Sequence, residues 1–68
     1  MIKKHSVTIK GHETSIALEP EFWNELKIIS KKTNKSIQQI ITAIDETNNN
    51  KNLSSQIRIF ILDYIKNN

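Results

Sequence analysis

The sequence predicts a mainly α chain opened by a short β segment, and three observations predict it. Apolar and polar residues alternate between Ser6 and Leu18, three stripes of bulky apolar residues at helical spacing follow, and residues suited to opening a helix precede each stripe. In the first segment Val7 and Ile9 alternate with Ser6, Thr8 and Lys10. After Gly11-His12 the pattern resumes with Thr14, Ile16 and Leu18 set against Glu13, Ser15 and Ala17. The phase flips at the glycine, so residues 6–18 form either a strand with a bulge or a tight hairpin turning at Gly11-His12.

A helix over 20–33 follows from Glu19-Pro20, because proline suits the first helical position and the acids Glu19, Glu21 and Glu25 suit the positive end of the helix dipole. Phe22, Leu26 and Ile29 form its stripe, Lys31 and Lys32 sit at its negative end, and Asn34 is a left-handed stop. A second helix over 36–48 opens with Ser36 and Gln39 spaced as a capping box and carries Ile37, Ile40, Ile41 and Ile44 on one face. Thr47 to Asn52 is polar and reads as a loop. Leu53-Ser54-Ser55 caps a third helix over 54–66, whose stripe is Ile57, Phe60, Ile61, Tyr64 and Ile65, with Ile59 and Leu62 on a neighbouring face. A strand through Ile57 to Leu62 competes, since isoleucine favours strands, but the serine cap and the length favour helix.

Sixty-eight residues make one domain over 1–68, too short for most enzymes. A chain of this size buries only about 60% of the surface its unfolded form exposes. There is no cysteine and no set of metal ligands to staple it, so self-association is expected and neither a metal nor a cofactor is. Thirteen isoleucines against one glycine and one proline exclude disorder. The net charge of +3 is compatible with nucleic acid. The longest apolar run, Ile59 to Leu62, is far below a membrane span, and the N-terminus shows no signal peptide, so a cytoplasmic protein without a membrane partner is expected. Ser54-Ser55 has no histidine or general base after it, so no catalytic residue is expected.

One amphipathic strand and two short helices leave apolar surface uncovered in so small a chain. Two copies solve this if their strands pair antiparallel, with Ile16 and Leu18 turned to the helices of both chains and Glu13, Ser15 and Ala17 turned outward. The expected dimer core is then Ile16, Leu18, Phe22, Leu26, Ile29, Ile37, Ile40, Ile41 and Ile44. A two-stranded ribbon fits the major groove of duplex DNA, and the positive end of a serine-capped helix beside it is a phosphate site.

The order of strand, Leu18-Glu19-Pro20-Glu21-Phe22-Trp23-Asn24-Glu25-Leu26 helix, Thr33-Asn34-Lys35-Ser36 turn and isoleucine-rich helix resembles the ribbon-helix-helix superfamily of MetJ and Arc type, over Glu13 to about Thr47. Gly11 to Trp23, with Ile44-Asp45 and Asn52-Leu53-Ser54-Ser55, is similar to a bacterial subgroup of short ribbon-helix-helix domains with a third C-terminal helix. The resemblance implies a ribbon-helix-helix homodimer that binds duplex DNA and regulates transcription. It places Glu13, Ser15 and Ala17 against bases, and Ser36, Ile37 and Gln38 with Lys35 against phosphate. Glu13 departs from the basic, amide or threonine residues that the family often carries there, which leaves Lys10, Lys3 and Lys4, or a protonated His12, as compensating cations. Asn34 stands where the family commonly has glycine.

Other residues have plainer readings. His5 and His12 are expected at the surface, and Trp23 in packing rather than on a base. Lys31, Lys32 and Lys35 are either a phosphate-facing patch or a solvated helix end. The third helix either enlarges the dimer core or offers Ile59 and Leu62 to a second dimer or a different protein, as antitoxins of this fold use C-terminal segments.

Overall fold

The computed structural model describes residues 1–47 and 52–67. Strands β1 (Lys3–Ile9) and β2 (His12–Leu18) form an antiparallel hairpin, and helices α1 (Pro20–Thr33), α2 (Ile37–Glu46) and α3 (Leu53–Lys66) follow. The hairpin alternative is the one realised, with its turn at Lys10-Gly11, one residue before the expected Gly11-His12. A two-residue turn of type I′, which matches strand twist, needs positive φ at both central positions, and Lys10 (+51°) and Gly11 (+81°) supply it. Seven pairs run from Ile9↔His12 to Lys3↔Leu18. The strand region therefore begins at Lys3 rather than Ser6, because Lys3 to His5 pair with Leu18 to Ile16.

This register explains the phase flip. Partners across a two-residue turn have opposite parity, as in Val7↔Thr14, so one face carries odd residues before the turn and even ones after it. That inner face buries Val7, Ile9, Ile16 and Leu18. Within the chain β2 pairs with β1 along one edge, and its other edge carries no strand among the described residues.

Pro20 opens α1, and Asn34 closes it in the left-handed conformation (φ 58°, ψ 36°). The N–H groups of Asn34 and Lys35 both donate to the Ser30 carbonyl, and the Ser30 hydroxyl donates to the Lys35 carbonyl, so three bonds hold the α1–α2 turn. Asparagine serves here because its short polar side chain tolerates positive φ better than most residues. The Ser36 hydroxyl accepts from the Gln39 N–H at 3.0 Å while the Gln39 carbonyl Oε1 accepts from the Ser36 N–H at 2.8 Å, completing the capping box. Helix α2 stops at Glu46, with the Thr47 N–H turned back to the Ile44 carbonyl; Asn48, the expected last residue, lies outside the described residues, as does 48–51 of the expected loop. The third element is a helix rather than a strand, and Asn52, not a serine, caps it by accepting from the Ser55 N–H at 3.2 Å.

Helix α2 packs against β1 and α3 against β2, with α1 touching both helices. The core joins the four strand residues to Leu26 and Ile29 of α1, Ile40, Ile41 and Ile44 of α2, and Ile57 and Ile61 of α3. Across this core Arg58 of α3 donates from Nε to Glu19 Oε1 at 2.9 Å, and its guanidinium lies 5.9 Å from the centre of the Phe22 ring. Glu19 thus tethers α3 to the start of α1, and no side chain caps that helix.

Leu26→Ala is expected to lower unfolding free energy by about 2–5 kcal/mol, a large share of what so small a domain has, because Leu26 is 0% exposed. Ile28→Ala, on the outer face of the same helix, should cost under about 1 kcal/mol, and urea denaturation compares the two. The Glu19 carboxyl is held below the usual carboxylate range, chiefly by hydrogen bonding to its own backbone and then by Arg58. A lowered value favours the ionised folded form, so this stabilisation is complete above the ordinary carboxylate pKa and disappears as pH falls through the folded value. Denaturation midpoints of wild type and Glu19→Gln should therefore differ at pH 7 and converge in acid.

Candidate nucleic-acid interface

The face of the hairpin turned away from the core is formed by three cross-strand pairs, Lys4↔Ala17, Ser6↔Ser15 and Thr8↔Glu13. Five of these six residues are exposed and Ala17 is half-buried. Glu13, Ser15 and Ala17 therefore share one outward face of a two-stranded ribbon. Lys4, Ser6 and Thr8 share it too. The signal for them lay in the same alternation, because once the chain turns back on itself the polar even positions of β1 must flank the odd positions of β2.

The start of α2 stands beside this ribbon. The Thr8 N–H donates to the Gln38 carbonyl Oε1 at 3.1 Å, which holds the first turn of α2 within one side chain's reach of the β1 edge. The capping box engages the N–H groups of Ser36 and Gln39. Those of Ile37 and Gln38 have no acceptor among the described residues and carry the positive end of the helix dipole. Gln38 reaches the strand with its side chain, so its backbone is the part open to an anion. Lys35, exposed, immediately precedes this end, and Lys10 is exposed in the hairpin turn two residues beyond Thr8. The structure thus gathers Lys35, Ser36, Ile37 and Gln38 at one helix start, next to the part of β1 that leads to Lys10. Lys31 and Lys32 are exposed in the last turn of α1.

Every aliphatic residue expected in a dimer core except Ile37 is buried within the single chain: Ile16, Leu18, Leu26, Ile29, Ile40, Ile41 and Ile44. Phe22 and Ile37 are half-buried and pack against that cluster. The hairpin makes this closure possible, because β1 contributes Val7 and Ile9, which the two-copy arrangement left out of its core.

The two histidines part company. His5, expected at the surface, is half-buried on the inner side of β1 and stacks on Trp23 of α1, with ring centroids 3.7 Å apart and planes 5° from parallel. Its Nε2 is buried and has no hydrogen-bond partner among the described residues. Trp23 accordingly works in packing. His12 is exposed at the turn, four register steps from the His5 pairing, and no group of three His, Asp or Glu able to hold a metal occurs among the described residues.

Away from the ribbon, α3 exposes Ile59, Leu62 and Ile65, each about half accessible. On its other flank Phe60 and Tyr64 line a groove of about 370 Å³ with residues of α1 and α2, among them Ile29, Ile40 and Ile44. No helix among the described residues is long and apolar enough to cross a membrane.

Neither the comparison with curated proteins nor that with solved structures returned a match. A family model described as a ribbon-helix-helix domain matches residues 2–65, which takes in the hairpin and nearly all of α3. An outward ribbon face, a capped second helix beside it and a match over almost the whole length agree: this chain belongs to the ribbon-helix-helix domain family.

Proposed function

We propose that the protein is a cytoplasmic, sequence-specific DNA-binding regulator of transcription that acts as a homodimer, with its ribbon in the major groove. The observation that carries this reading is the Thr8–Gln38 bond, which sets an anion-ready helix start beside an exposed two-stranded ribbon. Glu13, Ser15 and Ala17 face bases: Glu13 accepts from cytosine N4, Ser15 donates or accepts, and the Ala17 methyl touches that of thymine. The backbone N–H groups of Ile37 and Gln38, with Ser36 and the ammonium groups of Lys35 and Lys10, hold phosphates on either side of the groove.

Membership of a family of DNA-binding regulators and a charge of +3 support binding to a polyanion; they do not call on catalysis. Retardation of duplex DNA at low salt tests the reading. Wild type should bind, with affinity falling steeply as salt rises, and Lys35→Ala should weaken binding to all sequences alike while reducing the salt slope by about one. Failure to retard any duplex, specific or random, overturns the proposal.

The half-accessible Ile59, Leu62 and Ile65 favour a second use of the same scaffold, as a module that binds protein through α3. They also offer apolar surface to a second copy. Light scattering of wild type should give the mass of two chains, and Leu62→Asp should lower it toward one. A wild-type mass of one chain at micromolar concentration would remove the homodimer from the reading.

A further inference from the structure

We infer that the groove between α1, α2 and α3 binds a small amphipathic carboxylate, whose head takes the Lys35 ammonium and so loosens the protein's hold on DNA. The binding half stands on the groove alone, and the regulatory half rests on the DNA-binding reading above. The groove encloses about 370 Å³, within the roughly 300–1,000 Å³ of clefts that hold small molecules. Buried Ile29, Ile40 and Ile44 form its floor, and the rings of Phe60 and Tyr64, with centroids 6.4 Å apart, stand along one side. Ala43 of α2 lines it and is exposed, so the small side chain at that position leaves the space open.

The polar groups are sorted along the groove. Gln39, Ala43 and Thr47 recur at every fourth position on one ridge of α2, so the groove follows that helix for about 12 Å from its first turn to its C-cap. Lys35 and Gln39 lie at the end where α1 turns into α2. Gln39 Oε1 accepts from the Ser36 N–H, and its Nε2 keeps two protons with no acceptor among the described residues. The two threonines of the lining offer no proton, since the Thr33 hydroxyl donates to the Ile29 carbonyl at 2.8 Å and that of Thr47 to the Ile44 carbonyl at 2.9 Å. No Asp or Glu lines the groove among the described residues. Donors thus gather at one end and apolar surface fills the rest. A sugar would bury hydroxyls without partners there, and a cation would meet the Lys35 charge. The two oxygens of a single carboxylate match one ammonium and one amide NH₂, and an aliphatic or aromatic tail matches the remainder.

The same ammonium is assigned above to phosphate. Lys35 is exposed and precedes the α2 start, where the N–H groups of Ile37 and Gln38 stand open. Its flexible stem reaches to either side of that turn, yet an ammonium held by a carboxylate in the groove is withdrawn from DNA. Groove and DNA then compete for one charge, and by linkage each weakens binding of the other by the same factor.

Calorimetric titration of the full chain with octanoate, octylammonium and acetate tests the site without DNA. Octanoate should bind once per chain, and acetate, which lacks the tail, and octylammonium, which Lys35 repels, should each bind at least about tenfold more weakly. Ala43→Leu fills the groove from an exposed helical position that leucine suits, and Gln39→Glu keeps the capping box while setting a carboxylate against that of the ligand. Each should cost about tenfold or more in octanoate affinity, with the helical circular dichroism of wild type retained. Retardation of duplex DNA is then repeated with saturating octanoate. Wild-type affinity should fall at least about fivefold and its salt slope by about one, as in Lys35→Ala, whose own DNA binding octanoate should leave unchanged. Ala43→Leu should bind DNA like unliganded wild type and ignore octanoate. If octanoate does not bind, binds no better than octylammonium, or binds Ala43→Leu as well as wild type, the site is overturned whatever DNA does. A second copy covering the groove would give the first of these results, with a mass that falls toward one chain in Ala43→Leu. If octanoate binds as expected and leaves wild-type DNA affinity and salt slope unchanged, the coupling through Lys35 is overturned. If wild type binds no duplex at low salt, the DNA-binding reading falls and the regulatory half with it, while the calorimetry still decides the site.

Discussion

The structure hangs on a pair of backbone dihedrals. Lys10 at φ +51° and Gly11 at +81° send the chain back beside itself, and lysine accepts the left-handed conformation at a cost of about 1–2 kcal/mol that glycine escapes. Nothing lies within 4 Å of where a Cβ on Gly11 would sit, so that glycine is there for its backbone freedom and not for space. From this turn follow the seven-pair register, the burial of Val7 and Ile9 beside Ile16 and Leu18, and a closed core in one short chain. Without it β2 would keep an unsatisfied edge on both sides and Leu18 would lose the strand that flanks it. The exposed face is a by-product of the same geometry, since each residue sent inward leaves its neighbour outward.

The helices were legible because their determinants are local. Pro20, Asn34, Ser36 and Gln39 act within one or two turns of themselves, and each occupies its expected place. The cap of α3 was misplaced by a short step, since Asn52 and Ser54 are both competent caps and only the geometry of the preceding chain selects between them. The hairpin was half legible. The parity flip at Gly11 announced a break, yet a bulge and a turn leave the same alternation in a linear sequence, and only a partner strand decides between them. Lys3 and Lys4 gave no strand signal, because their place in the sheet comes from pairing with Leu18 and Ala17.

What lay beyond the sequence is the set of contacts between residues far apart in it. The Thr8–Gln38 bond joins groups 30 positions apart and the Glu19–Arg58 pair spans 39, and no periodicity encodes either. The stack of His5 on Trp23 belongs with them: an imidazole near the N-terminus reads as a surface residue until Trp23 of α1 is known to lie against it. The first and third contacts join helices to the hairpin and the second joins α3 to the start of α1, and the first sets the start of α2 beside the outward face of the ribbon. Glu13 likewise stood as an isolated anomaly while β2 was considered alone, and beside β1 it becomes one corner of a mixed-charge face.

Because β2 finds its strand partner within its own chain, assembly of the sheet is unimolecular. Where a sheet is shared between subunits, its pairing is lost as concentration falls below the dissociation constant. Here the closing step joins neighbours across two residues, a contact of low order that forms quickly and at any dilution. The pairing of β1 with β2 therefore depends on the turn between them and not on a second chain.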